Sequence, residues 1–395
     1  MNTLSVNGKD GSGKSQQIRL LYWNNKNIIH ITRPLITYSS SWPKLYGYEM
    51  SQWWFERISV EKLVDIIIES LNYRHKDNID GKLTINDRGW RMFKSVCAAT
   101  TMTREQITLE EATAGVDKQF DKKIDHDLAE TEILLKADQD YFSKIRHIVK
   151  FIRPPEDNGF PEESKKRYLA YQKNLSKAID LYFSSENIYK IAVNEPIIDV
   201  QNKLREIITN QTGITLPRIC DKLRLVVGMG GLSDCGKSSF ADYLRKDYGF
   251  LRLKLRYFIE SLIKEGKETT PEKTVLKVLG FLESLPYDQF VTVESLHDPY
   301  IPAMLKLLLG DRCRIVYLDT EKRTRIHRCS IETGLGLNEA ERIINEKDDI
   351  KRGRGAEEVK NISDIVFDNS ENQHLQNLKK FVTALNVQKI RENPS

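Results

Sequence analysis

Two stretches of this sequence share one spacing of glycine, lysine and serine. The pattern G-x-x-x-x-G-K-S occurs at residues 8–15 and again at residues 231–238. Successive backbone N–H groups in such a loop can surround a phosphate, and glycine permits the positive φ angles and the close approach that this requires. Because a chance match in a chain of this length is expected only on the order of 0.01 times, two matches predict two nucleoside triphosphate sites.

The residues of the two loops have separate expected roles. Lys14 and Lys237 would bridge the β- and γ-phosphates, and Ser15 and Ser238 would each place a hydroxyl on Mg²⁺. ATP and Mg²⁺ are therefore the expected cosubstrate and metal. The other residues expected to contact the nucleotide are Gly8, Asp10, Gly11, Ser12 and Gly13 in the first loop and Gly231, Ser233, Asp234, Cys235, Gly236 and Ser239 in the second. The alternatives are a glycine-rich turn without a ligand and, for the second loop, a site that binds nucleotide without catalysis.

Three charged residues directly follow predicted strands. Asp87 and Arg88 follow a strand predicted at 82–86, and Glu294 follows one predicted at 290–293. In a parallel sheet such residues lie at the carboxyl edge, beside the phosphate loop. Asp87 is a candidate to orient water on Mg²⁺, Arg88 to hold an acceptor phosphate, and Glu294 to serve Mg²⁺ or to deprotonate the acceptor. The alternatives are a surface ion pair in the first case and a solvated carboxylate in the second.

Around the loops, predicted strands alternate with predicted helices. Each loop lies between a short apolar strand and a stretch with the apolar spacing of a helix. The predicted strands are 4–6, 82–86, 132–135, 223–227, 290–293 and 314–318, and the predicted helices include 16–21, 60–71, 168–183, 239–244 and 338–348. This alternation predicts an α/β fold with mostly parallel sheets that helices cover on both faces. Turn-forming residues at 210–217 predict a linker between two P-loop NTPase domains, 1–217 and 218–395.

The first half resembles the thymidylate kinases. Its loop matches that family's G-x-D/E-G-x-G-K-S/T, residues 31–34 resemble its T-R-E-P segment, Asp87 and Arg88 match its D-R pair, and residues 189–208 resemble its final strand and helix. The family's glutamate is absent, since proline follows the T-R pair directly. The resemblance implies a nucleoside monophosphate kinase-like fold.

The same resemblance implies roles for residues on the acceptor side. Asp10 would hold a deoxyribose 3'-hydroxyl, and Arg33 and Arg88 would face the acceptor phosphate. A mobile lid would supply a further arginine, for which Arg146 and Arg153, just before the loop at 154–159, are the candidates.

The second half resembles the deoxynucleoside monophosphate kinases and dephospho-coenzyme A kinases. The resemblance rests on residues 236–239, the Gly249–Phe250 pair, residues 317–320 and residues 347–369. It implies an arginine-bearing lid, with Arg323, Arg325 and Arg328 as the candidate arginines. The basic run 351–354 is either a further phosphate contact or a solvated helix end.

Two features of the first half are open to a second interpretation. Trp53, Trp54 and Phe55 are candidates to line a nucleobase pocket, although packing in the core is the more common role of such a run. Arg57, just after them, is a candidate to reach a substrate phosphate.

Composition excludes several other classes of protein. The chain has 395 residues, 40% hydrophobic and 30% charged, with a net charge of +5. It contains no apolar run near the roughly 20 residues that a bilayer requires and no pattern of a signal peptide. Five widely spaced cysteines indicate neither a disulfide framework nor a zinc site, so a cytoplasmic location is expected. The small positive charge does not favour DNA as a partner, and a homodimer is left open.

Together these patterns predict an enzyme with two P-loop kinase domains. The expected reaction is ATP-dependent phosphorylation of a (deoxy)nucleoside monophosphate, with dTMP or a related nucleotide as the acceptor. The alternatives are a kinase that acts on a hydroxyl, in a modified DNA base or a small metabolite, and a regulatory protein that binds nucleotide without catalysis.

Overall fold

The chain divides into two compact units, seen here in a computed structural model. Unit 1 comprises Met1–Ser143, Glu156–Glu195 and Asp199–Pro217, and unit 2 comprises Lys144–Pro155, Pro196–Ile198 and Arg218–Ser395. The structure describes residues 3–124, 131–153, 159–370 and 374–386.

Unit 1 is built on a sheet of five parallel strands. Their order is β2-β3-β1-β4-β5, so the strand before the phosphate loop is central. The strands are β1 (Thr3–Asn7), β2 (Ile29–Ile31), β3 (Leu83–Asp87), β4 (Thr131–Ala137) and β5 (Tyr189–Val193). The helices of this part of the chain are α1 (Lys14–Trp23), α2 (Gly47–Gln52), α3 (Val60–His75), α4 (Trp90–Glu105), α5 (Leu109–Lys123), α6 (Gln139–Val149), α7 (Glu162–Tyr182) and α8 (Ile197–Thr212).

Unit 2 repeats this arrangement. Its five parallel strands have the order β10-β9-β6-β8-β7, which is the order of unit 1 when each sheet is counted from its own first strand. The strands are β6 (Leu223–Gly230), β7 (Leu251–Lys254), β8 (Gln289–Leu296), β9 (Cys313–Asp319) and β10 (Ile365–Asp368). The helices are α9 (Lys237–Tyr248), α10 (Leu255–Lys264), α11 (Pro271–Glu283), α12 (Tyr300–Leu309), α13 (Lys322–Thr333), α14 (Leu337–Arg352) and α15 (His374–Leu385).

Helices cover both faces of each sheet, which explains the apolar character of the strands. In unit 1, Leu4 and Val6 of β1 pack in one core cluster with residues of α1 and α8. On the opposite face, Leu134 of β4 packs with residues of α4 and α7. A strand that is buried on both faces reads as a continuous apolar run, as these do. The predicted α/β class with parallel sheets is therefore confirmed.

The predicted elements are found with longer bounds. Every predicted strand lies within an observed one, give or take a residue, and the helix predicted at 60–71 continues to His75. The short strands β2 and β7 were not predicted as strands, because three or four residues carry too little periodicity to identify one.

All five cysteines are buried. No helix in the part of the chain that the structure describes is long and apolar enough to cross a bilayer.

Candidate functional site

The first phosphate loop joins the end of β1 to the start of α1 in unit 1. Gly8, Gly11 and Gly13 have φ angles of 145°, 84° and 81°. A Cβ on Gly8 would lie 2.6 Å from the carbonyl oxygen of Leu135, on the neighbouring strand β4. The chain can therefore make this tight turn only with glycine at the start of the loop, and the N-terminus of α1 faces the loop.

Lys14 lies beneath this loop as a buried cation. Its side chain is 5% exposed, and Nζ donates to the carbonyl oxygen of Lys9 at 2.9 Å. Burial, assisted by the charge of Arg88, lowers the pKa of Lys14 to about 8, although Asp10 and Asp87 partly oppose the shift. An ammonium that has lost its water and gained few charged partners is suited to receive an anion.

Asp10 and Arg88 form an ion pair at the mouth of the loop. Arg88 Nη2 lies 2.7 Å from Asp10 Oδ1, and the Tyr168 hydroxyl donates to Asp10 Oδ2 at 3.0 Å. Arg88 has a φ of 70°, and Arg74 Nη1 donates to its carbonyl oxygen at 2.9 Å. A left-handed backbone in a residue other than glycine is strained, and such strain is concentrated at functional sites.

Asp87 ends β3 beside the same loop. Its Oδ1 is buried and meets no hydrogen-bond partner among the described residues. Its negative charge acts on Lys14. A buried carboxylate oxygen without a partner carries a desolvation cost that a bound cation would offset.

A cavity of about 610 Å³ connects the loop with candidate acceptor residues in unit 1. Its polar lining is Asp10, Ser15, Arg19, Thr32, Arg33, Asp87 and Arg88, and its apolar lining is Ile18, Ile31, Pro34, Leu35, Ile36, Trp42, Trp54, Met92, Phe93, Val96, Tyr171 and Leu175. Arg33 is held at the rim because its guanidinium lies 4.7 Å from the ring centre of Tyr38 and 3.6 Å from Asp77 Oδ2.

The second phosphate loop has the same construction in unit 2. Gly231 and Gly236 have φ angles of 128° and 105°, and Asp234 has a φ of 54°. A Cβ on Gly231 would lie 2.6 Å from the carbonyl oxygen of Leu318, on the neighbouring strand β9. Lys237 Nζ donates to the carbonyl oxygens of Gly231 at 2.8 Å and Leu232 at 2.6 Å. Both loops thus hold their lysine by the loop's own carbonyl groups.

Glu294 lies inside β8 rather than after it, and it contacts the second loop. The Ser238 hydroxyl donates to Glu294 Oε2 at 3.1 Å. Arg252 of β7 donates to both carboxylate oxygens of Glu294 and also contacts Asp242 Oδ1 at 2.8 Å. At 2% exposure, Glu294 is a buried carboxylate that is already neutralised by an arginine, and not the solvated strand-end group of the alternative.

Two helices supply cations to the second loop. Arg328 of α13 donates to the carbonyl oxygen of Asn369 at 2.7 Å, and Lys351 of α14 donates to the Ser233 hydroxyl at 2.8 Å. Both line a cavity of about 560 Å³ with Asp234, Cys235, Gly236, Lys237, Ser238, Ser239, Ser295 and Glu332. Burial, with the charge of Lys237 next in size, lowers the pKa of Lys351 to about 8.

Arg325 has a different position from the other candidate lid arginines. It is 3% exposed, pairs with Asp348 and donates to the carbonyl oxygen of Ser233 at 3.2 Å. Asp348 in turn accepts from the Ser233 amide at 2.9 Å. This buried pair braces the loop from behind, and it does not line the cavity.

Comparison with known proteins finds solved structures only. No protein-family model matches the chain, and no curated protein matches it. Thymidylate kinase from Candida albicans is similar at 18% identity and a TM-score of 0.36, over 53% of this chain and 91% of that one. Thymidylate kinase from Ehrlichia chaffeensis has 14% identity and a TM-score of 0.31, over 52% and 97%. Shikimate kinase from Acinetobacter baumannii has 14% identity and a TM-score of 0.30, over 43% and 97%. Similarities this low leave activity and substrate to be argued from the sites themselves.

Several predicted arginines besides Arg325 line neither of the two cavities. Arg57 is exposed and donates to Gln52 Oε1 at 2.8 Å. Arg153 belongs to the segment that groups with unit 2, and neither it nor Arg323 lines the cavity at either loop. Most of the lid loop proposed after Arg153, residues 154–158, lies outside the described residues.

Several residues at the sites carried no signal in the sequence. Tyr168, Arg252 and Asp348 each contact a predicted residue that is distant along the chain, and Arg74 contacts Arg88, 14 positions later. Tyr168 and Asp10, for example, are separated by 158 positions. Only tertiary packing, here that of α7 in unit 1, brings such a pair together.

Proposed function

We propose that unit 1 transfers the γ-phosphoryl group of ATP to the phosphate of a (deoxy)nucleoside monophosphate, dTMP or a related nucleotide. The observation that carries this proposal is the shared cavity. Its lining contains two residues of the phosphate loop, Asp10 and Ser15, and two arginines, Arg33 and Arg88, that suit an acceptor phosphate. Donor and acceptor sites in one cavity are what an in-line transfer needs.

Each residue has a role in this reaction that follows from its position. The loop N–H groups and Lys14 hold the β- and γ-phosphates of ATP, and the N-terminus of α1 adds positive charge. Arg33 and Arg88 hold the acceptor so that its phosphate oxygen attacks the γ-phosphorus while the bond to the bridging oxygen of ADP breaks. Asp10, held by Arg88 and Tyr168, is placed to accept a hydrogen bond from the acceptor's sugar hydroxyl.

The residues of unit 1 also fit a magnesium ion. Asp87 offers a buried oxygen without a hydrogen-bond partner in the described chain, and the exposed Ser15 hydroxyl lies on the same cavity. Oxygen donors of this kind suit Mg²⁺ together with phosphate oxygens and water. When bound, Mg²⁺ neutralises charge that develops on the transferred group. No group of three His, Cys, Asp or Glu side chains that could hold a metal ion is found in the described residues.

For unit 2 we propose a second ATP site that resembles a deoxynucleoside monophosphate kinase. Lys237, Arg328 and Lys351 together line its cavity, and three cations suit a triphosphate. Glu294 favours a second candidate, a site that binds nucleotide without transferring phosphate. Both of its oxygens already accept from Arg252, which weakens it as a magnesium ligand or as a base.

The test is an acceptor screen with the wild type and two variants. ADP formation from ATP is measured with each nucleoside monophosphate for the wild type, Lys14→Ala and Lys237→Ala. We expect Lys14→Ala to reduce transfer to the unit 1 acceptor by about a hundredfold or more, since it removes a charge that stabilises the transferring group. The exposed lysines Lys62 and Lys264, which line neither cavity, provide matched controls as Lys62→Ala and Lys264→Ala.

The outcomes separate the candidate functions. Transfer that survives in Lys14→Ala and Lys237→Ala alike would contradict both sites. Loss in Lys14→Ala alone would assign catalysis to unit 1 and leave unit 2 as the non-catalytic site. ADP formation that needs no acceptor would point to a nucleotide switch instead.

A further inference from the structure

The cavity of unit 1 has two chemically different halves. Its polar residues lie in the phosphate loop and α1 or at the carboxyl ends of β2 and β3. Its aromatic and most of its aliphatic residues come from the helices and from the chain between β2 and α2, among them Trp42, Trp54, Phe93 and Tyr171. An acceptor with its phosphate at the first half must place its other end against the second.

The two indoles in this second half have no N–H to offer. Trp54 Nε1 donates to the Thr100 hydroxyl at 3.1 Å, and Trp42 Nε1 donates to the Ser70 hydroxyl at 2.8 Å. An indole nitrogen is a donor only, so each ring presents the ligand with carbon alone. The two rings pack in a nearly parallel arrangement, 6.1 Å between centres and 20° between planes.

Tyr171 carries a hydroxyl among the aromatic residues of the second half, and its ring centre lies 6.1 Å from that of Tyr168, whose hydroxyl donates to Asp10. Burial raises the pKa of Tyr171, and the next contribution in size is the negative charge of Asp10. Tyr171 therefore adjoins the contact between Tyr168 and Asp10 at the mouth of the loop. The other residues of α4 and α7 on the cavity, Met92, Phe93, Val96 and Leu175, are apolar.

The position of Trp54 is fixed by its surroundings. It lies in a π-helical turn, Trp53–Arg57, which follows α2 directly. Arg104 of α4 donates to the carbonyl oxygen of Trp54 at 3.3 Å and also to that of Ile58. The aromatic side of the cavity, formed by Trp42, Trp54 and Phe93, is thus held in place by α4, the helix that contains both Arg104 and Phe93.

From these contacts we infer that unit 1 recognises the base of its acceptor by stacking and shape, and not by hydrogen bonds to the base edge. This inference rests on the proposed function. A site built to hydrogen-bond a substrate group discriminates against an analogue that lacks the group by a factor of about 10⁴–10⁵ in kcat/KM. The reason is that buried polar groups of the site are then left without partners. The carbon surface that Trp42, Trp54 and Phe93 present has no polar groups to leave unsatisfied. It therefore accepts bases of one shape, whatever hydrogen-bond donors and acceptors they carry.

The test uses two nucleotides of one shape with opposite hydrogen-bonding edges. Thymidylate and 5-methyl-deoxycytidylate both carry a methyl group at C5, but they differ in the groups at N3 and C4. Their kcat/KM values are compared in the Lys237→Ala chain, so that transfer by unit 2 does not contribute. We expect the two values to agree within about a hundredfold, far below the discrimination of a hydrogen-bonding site.

Two variants test the wall itself. Trp54→Leu removes the stacking surface and should raise KM for both nucleotides by the same factor, about tenfold, which matches the usual contribution of one stacked base. Trp54→Phe keeps an aromatic face and should restore most of the loss. The KM for ATP should stay unchanged in both variants.

A preference above about a hundredfold for either nucleotide would overturn the inference, as would a loss in Trp54→Leu that is confined to one of them. Absence of transfer to every nucleoside monophosphate would instead contradict the proposed function. In that case the dissociation constants of the two nucleotides are measured by calorimetry on the same chain. A ratio of the two constants above about a hundredfold would overturn the inference.

Discussion

At the scale of single residues, the sites depend on cations that are buried before any ligand arrives. Lys14 and Lys351 both have a pKa lowered to about 8, and in both the main cause is burial. The usual pKa of lysine lies near 10.4. The lower pKa in each site means that the protonated ammonium is less stable there than in water. A triphosphate would offset that cost, since it brings negative charge to the ammonium groups.

The lowered pKa of Lys14 predicts how activity depends on pH. In the free enzyme Lys14 is protonated below about pH 8 and loses its charge above it. The kcat/KM for ATP, which reports groups of the free enzyme, should therefore fall by one order of magnitude per pH unit above pH 8. The measurement is a pH profile from 6.5 to 10 in the Lys237→Ala chain with thymidylate as acceptor.

Lys14→Arg provides the control for this profile, because arginine stays protonated throughout the range. The variant should be less active, but its profile should lack the fall above pH 8. A profile of the Lys237→Ala chain that stays flat to pH 9.5 would contradict the assigned role of Lys14.

At the scale of elements, both phosphate loops meet the same geometric limit. A Cβ on Gly8 or Gly231 would lie 2.6 Å from a carbonyl oxygen on the adjacent strand, Leu135 in one unit and Leu318 in the other. The loop starts so close to the sheet that its first residue has no room for a side chain.

Gly231→Ala tests this limit, with Gly334→Ala as its matched control. Gly334 ends α13 with a φ of 72°, and a Cβ there would meet nothing within 4 Å. Gly334→Ala should lower the free energy of unfolding by about 1–2 kcal/mol, the cost of a left-handed backbone. Gly231→Ala should lower the free energy of unfolding by about 1–3 kcal/mol more than this, because the added Cβ overpacks against the neighbouring strand. Urea unfolding of the three chains measures both values, and equal losses would show that the loop can shift to make room.

At the scale of the whole molecule, one architecture occurs twice. Each unit has its own five-stranded sheet with the same strand order, its own core and its own phosphate loop after the central strand. The cavities differ, because unit 1 adds an aromatic wall beside its loop, whereas the lining at the second loop is mainly polar and charged. This difference supports the proposal that both units bind a similar donor and that unit 1 also binds a flat acceptor.

This duplication predicts the number of nucleotides that the chain binds. A calorimetric titration of the wild type with a non-hydrolysable ATP analogue should give two binding sites per chain. Lys14→Ala and Lys237→Ala should each leave one, since each removes the main cation of a single loop. A wild-type stoichiometry of one would show that only one of the loops binds nucleotide.

The sequence alone determined the features that depend on neighbours along the chain. The loops at 8–15 and 231–238 are contiguous, so their glycines, lysines and serines could be identified together, and the apolar strands beside them indicated the parallel sheets. For the same reason, Asp87 and Arg88 could be placed at the edge of a sheet. These are local rules of backbone geometry, and they hold wherever the segment lies in a fold.

Only the tertiary structure decided which distant side chains complete the sites. It joined Asp10 to Tyr168 and Ser238 to Glu294, and it left Arg57 at the surface. It also turned the donors of Trp42 and Trp54 away from the cavity, toward Ser70 and Thr100. Such choices depend on how helices pack against the sheet and on which rotamer each side chain then adopts, and neither is encoded in the spacing of nearby residues.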